Sequence, residues 1–182
     1  MDDDIERILI PRERIARRVA ELADEIGRTY SDSAAALTVV AILSGSVIFL
    51  ADLMRQLPIR MKIGLITVSS YAGATTTSRG ASILGELRVD VRGRHVLVVD
   101  DILDTGRTLR LVTAELRQRE PVSVRTCVLL RKPAKVPPDV KADFVGFDVE
   151  DAFVVGYGLD YDDHYRNYPD IGILRPELYA SA

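Results

Sequence analysis

The stretch VLVVDDILDTGRTL, residues 96–109, carries the fold of this chain. Four aliphatic residues, suited to a buried strand, run directly into Asp100 and Asp101, and Asp104 then opens a Thr-Gly-Arg-Thr turn. Buried charge is costly unless something pairs with it, so three carboxylates at the end of such a strand ask for a partner. The segment RTLRLVTAELRQR (107–119) follows with Leu109, Val112 and Leu116 at helical spacing.

A strand, a glycine-containing turn and a helix in succession leave backbone N–H groups at the helix N-terminus, where the dipole favours phosphate. Thr105 and Thr108 add hydroxyl donors, and Gly106 lets the backbone approach a ligand closely. A phosphorylated sugar with free hydroxyls suits both halves of the segment, because carboxylates accept from hydroxyls and tolerate phosphate when Mg2+ intervenes. A helix cap for Asp104 and a solvated strand end for the other two is the plainer alternative for each aspartate singly. The whole arrangement after an aliphatic run favours the ligand.

Outward from this segment the pattern strand, turn, helix repeats. Ile15, Val19, Leu22 and Ile26 predict an amphipathic helix opened by Pro11, and ALTVVAIL (36–43) a buried strand. SGS (44–46) makes a turn into the helix VIFLADLMRQL (47–57), and IRMKIGLITVSSY (59–71) is the next strand. The tract SSYAGATTTSRGAS (69–82) is a long loop with almost no packing residues, the pattern of a segment that is either functional or mobile. HVLVVD (95–100) and VSVRTCVLLR (122–131) complete the strands, which predicts an α/β fold with a mostly parallel twisted sheet flanked by helices. Beyond Lys132, KPAKVPPDVKADFVGF carries three prolines and breaks the rhythm. DFVGFDV, FVVGYGLDY and IGIL then suggest a small C-terminal subdomain, to which the N-terminus can contribute.

The chain has 182 residues, enough for one domain with a substantial core, and its 47% hydrophobic and 28% charged residues are ordinary for a soluble enzyme. A net charge of −3 argues against a nucleic-acid partner, and the basic run RERIARR (12–18) reads as a solvated helix face. The single cysteine, Cys127, lies in an apolar run and is expected to be a buried structural thiol. No apolar run reaches the ~20 residues of a membrane-spanning helix, and the acidic start MDDDIERI has no signal-peptide core, so a cytoplasmic protein is expected. Dinucleotide and P-loop glycine fingerprints, a zinc-ligand set and a Gly-x-Ser-x-Gly elbow are all missing from the sequence.

VLVVDDILDTGRTL resembles the phosphoribosyl-diphosphate signature of the type I phosphoribosyltransferases. Together with ILSGSVIFLADLM, LLRKPAKV, ADFVGF and FVVGYGLDYDDHYRN, spread over roughly residues 40–174 in the family's order, it resembles the hypoxanthine-guanine phosphoribosyltransferases. The resemblance implies a type I phosphoribosyltransferase fold in a single domain, with a core over residues 10–131 and a hood over residues 132–182. It implies Mg2+-dependent transfer of the 5-phosphoribosyl group from 5-phosphoribosyl 1-diphosphate to a 6-oxopurine base, giving IMP or GMP and diphosphate. On the same basis Asp100 and Asp101 hold the ribose hydroxyls, partly through Mg2+, and Asp104 is the general base for the purine N7 proton. Thr105, Gly106, Arg107 and Thr108 cradle the 5′-phosphate; Ser44, Gly45 and Arg166 meet the diphosphate; Ser70 and Tyr71 belong to a lid. Lys132, Phe153, Val154 and Asp160 form the purine side, with Asp100 and Asp160 as metal ligands. A homodimer or homotetramer is also implied.

Two positions depart from the family's pattern. Ser44 stands where a basic residue is common, leaving one fewer cation near the diphosphate, and Asp100 stands where many relatives have glutamate. Two alternatives remain at this level: an RNA-binding pyrimidine-operon regulator of the same fold, and a xanthine-preferring transferase. The regulator usually has tyrosine at the position of Asp104, and its partner would favour a basic protein.

Overall fold

The computed structural model describes residues 1–31, 35–69, 82–84 and 87–179. Strand β1 (Ile5–Ile10) leads into helix α1 (Arg12–Tyr30), β2 (Leu37–Leu43), α2 (Val47–Gln56), β3 (Met61–Ser69) and the short β4 (Ser82–Leu84). Then come β5 (His95–Leu103), α3 (Arg107–Arg117), β6 (Ser123–Arg131), β7 (Phe144–Asp148), β8 (Val154–Val155) and β9 (Ile171–Leu174). Among the described residues the strands form a six-stranded sheet in the order β4-β3-β2-β5-β6-β7 and a three-stranded sheet in the order β1-β9-β8.

The larger sheet is parallel except for β4, which runs antiparallel to β3. Its central strands are buried on both faces, as their unbroken aliphatic runs require. Alternation assigns the faces. Leu97 and Val99 of β5 join Ile15, Val19, Leu22 and Ile26 of α1 and Phe49 and Leu53 of α2. Val96 and Val98 face the other way, onto Leu109, Val112 and Leu116 of α3.

Three differences from the sequence reading have physical causes. β1 forms from the acidic leader because Ile5 and Ile10 pair with β9, a long-range partner that local pattern cannot reveal. β7, expected in the small subdomain, instead extends the parallel sheet beside β6, so the main core continues past residue 131. β5 runs on to Leu103, through the aspartate pair, because β6 keeps pairing with it as far as Leu103 and Arg131.

That last extension creates the site. Pairing of β2 with β5 ends at Ala41 and Val99, while β5 continues along β6 alone. The chain goes from β2 outward to β3 on one side, and from β5 to β6 on the other, so the crevice beyond Val99 lies at a topological switch point.

Candidate active site

Two cavities meet at this crevice. One, about 380 Å³, is lined by Ile42, Leu43, Gly45 and Val68 and by the continuous run from Asp100 to Leu109. The other, about 210 Å³, is lined by Asp101, Ile102, Asp104, Lys132, Phe153, Val154, Leu159 and Asp160. Asp101, Ile102 and Asp104 belong to both walls.

In the first cavity the turn after β5 is shaped by Gly106, at φ 75°, just ahead of α3. A Cβ there would stand 2.7 Å from Val140 Cγ1, so glycine is required by conformation and by space. Thr105, Gly106, Arg107 and Thr108 all line this cavity at the N-terminus of α3, whose first N–H groups have no partner within the helix.

Asp100 is buried and Asp101 lies beside it, against Gly45. The Asp101 N–H donates to Asp100 Oδ1 at 3.1 Å, and the Ile102 N–H donates to Asp101 Oδ1 at 2.7 Å. Burial pushes both carboxyls above the usual carboxylate range; the charge of Asp101 raises Asp100 further, and that of Asp160 raises Asp101. No basic side chain forms an ion pair with either aspartate among the described residues.

The loop after β2 closes the other side. Gly45 packs so tightly that a Cβ on it would lie 1.6 Å from Asp101 Oδ2. Ser44 is not part of either cavity wall; its carbonyl accepts the Val47 N–H at 3.2 Å at the start of α2. The Ser46 hydroxyl donates back to the Ile42 carbonyl, fixing the turn. Ser70 and Tyr71, expected in a lid, lie outside the described residues.

Around the second cavity, Lys132 is buried and Asp104 stands half-exposed with one buried oxygen, Oδ1, that has no partner among the described residues. Asp104 Oδ2 lies 3.5 Å from Lys135 Nζ and 4.0 Å from Lys132 Nζ. The Lys132 N–H donates to the Leu103 carbonyl at 3.0 Å, which ties the lysine to the end of β5. Phe153 stacks on Tyr179, with ring centroids 4.9 Å apart and 25° between planes, and meets Tyr161 edge-on at 5.5 Å. Asp160 is ion-paired with Arg166 at 2.8 Å, and Arg166 also donates to the Gly158 carbonyl at 2.9 Å and pairs with Asp163 at 2.7 Å.

A phosphoribosyl transferase domain model matches residues 8–162. The chain is 42% identical to the hypoxanthine-guanine phosphoribosyltransferase of Mycobacterium tuberculosis, over 97% of this chain and 89% of that one. Its identity to the Bacillus subtilis enzyme of the same name is 41%, covering 100% of this chain and 99% of the relative. The chain belongs to the hypoxanthine-guanine phosphoribosyltransferase family.

A crystal structure of a hypoxanthine phosphoribosyltransferase from Staphylococcus aureus superposes with a TM-score of 0.91 at 37% identity, covering 98% of this chain and 96% of that one. The fold is therefore that of the type I phosphoribosyltransferases, and the chain is a purine-salvage phosphoribosyltransferase. The structure gathers Gly45, Asp100, Asp101, Asp104, Thr105, Gly106, Arg107 and Thr108 in one cavity, and Lys132, Phe153, Val154 and Asp160 with Asp101 and Asp104 in the other. The sequence reading missed Ile102 and Leu159, the aliphatic walls of the smaller cavity, and Gly158, Lys135 and Asp151 around it. Of these, only Asp151 lies outside the segments that carry the family resemblance; Ile102, Lys135, Gly158 and Leu159 lie within them, and their place at the site needed three-dimensional proximity.

Proposed function

We propose that this enzyme transfers the 5-phosphoribosyl group of 5-phosphoribosyl 1-diphosphate to hypoxanthine or guanine, with Mg2+, giving IMP or GMP and diphosphate. The observation that carries the reading is the meeting of two unlike cavities at Asp101, Ile102 and Asp104. One suits a phosphate and a sugar by its donors and carboxylates; the other is walled by Ile102, Phe153 and Leu159, with the buried Lys132 in its lining.

The residues divide the work by chemistry. Thr105, Gly106, Arg107 and Thr108 would hold the 5′-phosphate, and Asp100 and Asp101 the ribose hydroxyls. Lys132 carries an ammonium, which only donates, so it would select an oxo group on the purine over an amino group. Phe153 and the Val154 backbone would hold the ring. Asp104 would take the N7 proton as the new glycosidic bond forms; its Oδ1 has no hydrogen-bond partner among the described residues. Gly45 and Ser44 would approach the diphosphate through their backbone, and Arg166 would reach it by leaving Asp160. Ser70 and Tyr71 are assigned to a cover that keeps water from the donor.

Mg2+ fits the site on one structural ground: two adjacent carboxylates, Asp100 and Asp101, resist ionisation by burial, Asp100 also through the charge of Asp101, and have no cationic partner among the described residues. No cluster of three or more metal-ligating side chains occurs among the described residues, which suits an ion held by one or two carboxylates and by substrate oxygens. When bound it would neutralise charge on the departing diphosphate. Asp160 would hold a second ion, once freed from Arg166.

No helix of the described residues is long and apolar enough to cross a membrane. A cytoplasmic location and a homodimer or homotetramer complete the reading, the latter decided by light scattering. The decisive test is a steady-state assay with Mg2+, the ribosyl donor and each of hypoxanthine, guanine, xanthine, adenine and uracil. Preference for hypoxanthine or guanine supports the reading; xanthine preference would narrow it differently; turnover of neither hypoxanthine nor guanine overturns it.

A further inference from the structure

We propose that Asp151 is a positioning residue for purine recognition: from outside the cavity it holds the Lys132 ammonium at the base subsite. The proposal rests on the function given above and deepens it.

Asp151 lines neither cavity, and its side chain is 45% exposed, yet it touches both lysines of the site. Its Oδ1 lies 3.3 Å from Lys132 Nζ and 3.0 Å from Lys135 Nζ. Lys135 in turn lies 3.5 Å from Asp104 Oδ2, and Lys132 4.0 Å from the same oxygen. Two cations and two anions thus close a ring beside the smaller cavity. The turn that begins at Lys132 makes this possible, since the Lys135 and Val136 N–H groups both donate to the Lys132 carbonyl, at 3.0 and 3.2 Å.

The four members are not equivalent. The Lys132 side chain is only 9% exposed, whereas those of Lys135, Asp104 and Asp151 are 41%, 36% and 45% exposed. Exposed ion pairs contribute little by themselves. An enclosed ammonium is different, because burying it without acceptors is costly. Among the described residues its ion-pair partners are Asp151 and Asp104. While Asp151 holds it, the ammonium stays 4.0 Å from Asp104 and free to donate to an incoming purine.

Remove the charge of Asp151, and the flexible lysine stem lets the ammonium close onto Asp104. That movement would withdraw the donor from the purine and occupy the carboxylate assigned as base. Lys135 reinforces the arrangement by holding Asp104 Oδ2 from the other side.

The test is a double-mutant cycle read by steady-state kinetics. Asp151→Asn should raise the hypoxanthine KM about tenfold, the worth of one charge-assisted hydrogen bond, and leave the donor KM within about twofold. Asp151→Glu, which keeps the charge, should recover most of the loss. In a Lys132→Met background, Asp151→Asn should change the hypoxanthine KM by less than about twofold, because its effect acts through the lysine. An unchanged hypoxanthine KM in Asp151→Asn, or equal penalties in both backgrounds, overturns the proposal while leaving the function intact. Failure of the unsubstituted enzyme to use hypoxanthine or guanine overturns both.

Discussion

Gly158 lies against the carbonyl oxygen of Gly45: a Cβ on Gly158 would stand 2.2 Å from that oxygen. Gly45 in turn abuts Asp101, so the loop after β2, the end of β5 and the turn after β8 touch in sequence with no room for side chains. Gly158 also has φ +103°, a conformation L side chains rarely adopt. This three-part contact sets how far the assigned diphosphate loop stands from the aspartate pair.

Gly158→Ala should therefore spread the contact and lower kcat/KM for the donor by about 100-fold, the cost of displacing reacting groups by about an ångström. Parallel melting curves separate a displaced site from a lost fold. A kcat/KM within about threefold of the parent would show that the contact can yield without consequence.

Asp104→Asn preserves shape and removes the proton acceptor. Loss of a general base predicts a fall in kcat of about 10²–10⁴-fold with the donor KM little changed. Pre-steady-state measurement of the chemical step is the check, since slow product release can mask a chemical defect.

Asp100 carries a linked pair of outcomes. Its carboxyl titrates well above the usual range in the folded protein, through burial first and the charge of Asp101 second. A raised folded-state value means that the folded protein holds this proton more tightly than the unfolded chain. The resulting stabilisation is complete below the unfolded value and disappears as pH rises through the folded one. Without ligand, the melting temperature of the parent should therefore fall relative to that of Asp100→Asn as pH is raised from acid to neutral. At neutral pH the variant should melt higher, by about 2–4 °C for each kcal/mol relieved, while binding the donor more weakly. A melting difference that does not change with pH would contradict the burial account.

Cys127 sits fully buried in β6, and burial pushes its thiol well above the ordinary range. Alkylating reagents at neutral pH should leave it unmodified and activity unchanged in the native enzyme, and label it stoichiometrically in denaturant. Mass spectrometry reads both; rapid native labelling with loss of activity would contradict this.

How much of this was legible in the sequence differs by element. The three long helices and four central strands followed from periodicity, because apolar spacing such as Ile15, Val19, Leu22 and Ile26 reports burial directly. β1 and β4 did not, since Ile5–Ile10 and Ser82–Leu84 depend on distant partners and carry weak local patterns. Pro133, Pro137 and Pro138 ended the regular pattern, yet the chain returned to the main sheet at Phe144, where pairing with Cys127 and Val128 overrode local expectation. In the site, the residues adjacent in sequence were legible as a unit from Asp100 to Thr108. Lys132 and Phe153 were ambiguous as residues and became site candidates through resemblance alone. The Asp151–Lys135 pair and the packing of Gly45 on Asp101 arise from tertiary proximity, which a single sequence does not encode visibly.

The most direct measurement of the central claim is product analysis after incubating the enzyme with Mg2+, 5-phosphoribosyl 1-diphosphate and hypoxanthine or guanine. The account predicts IMP or GMP and diphosphate in equal amounts, with formation abolished by a chelator and restored by added Mg2+. Absence of both nucleotides, or nucleotide formed only from adenine or uracil, would contradict it.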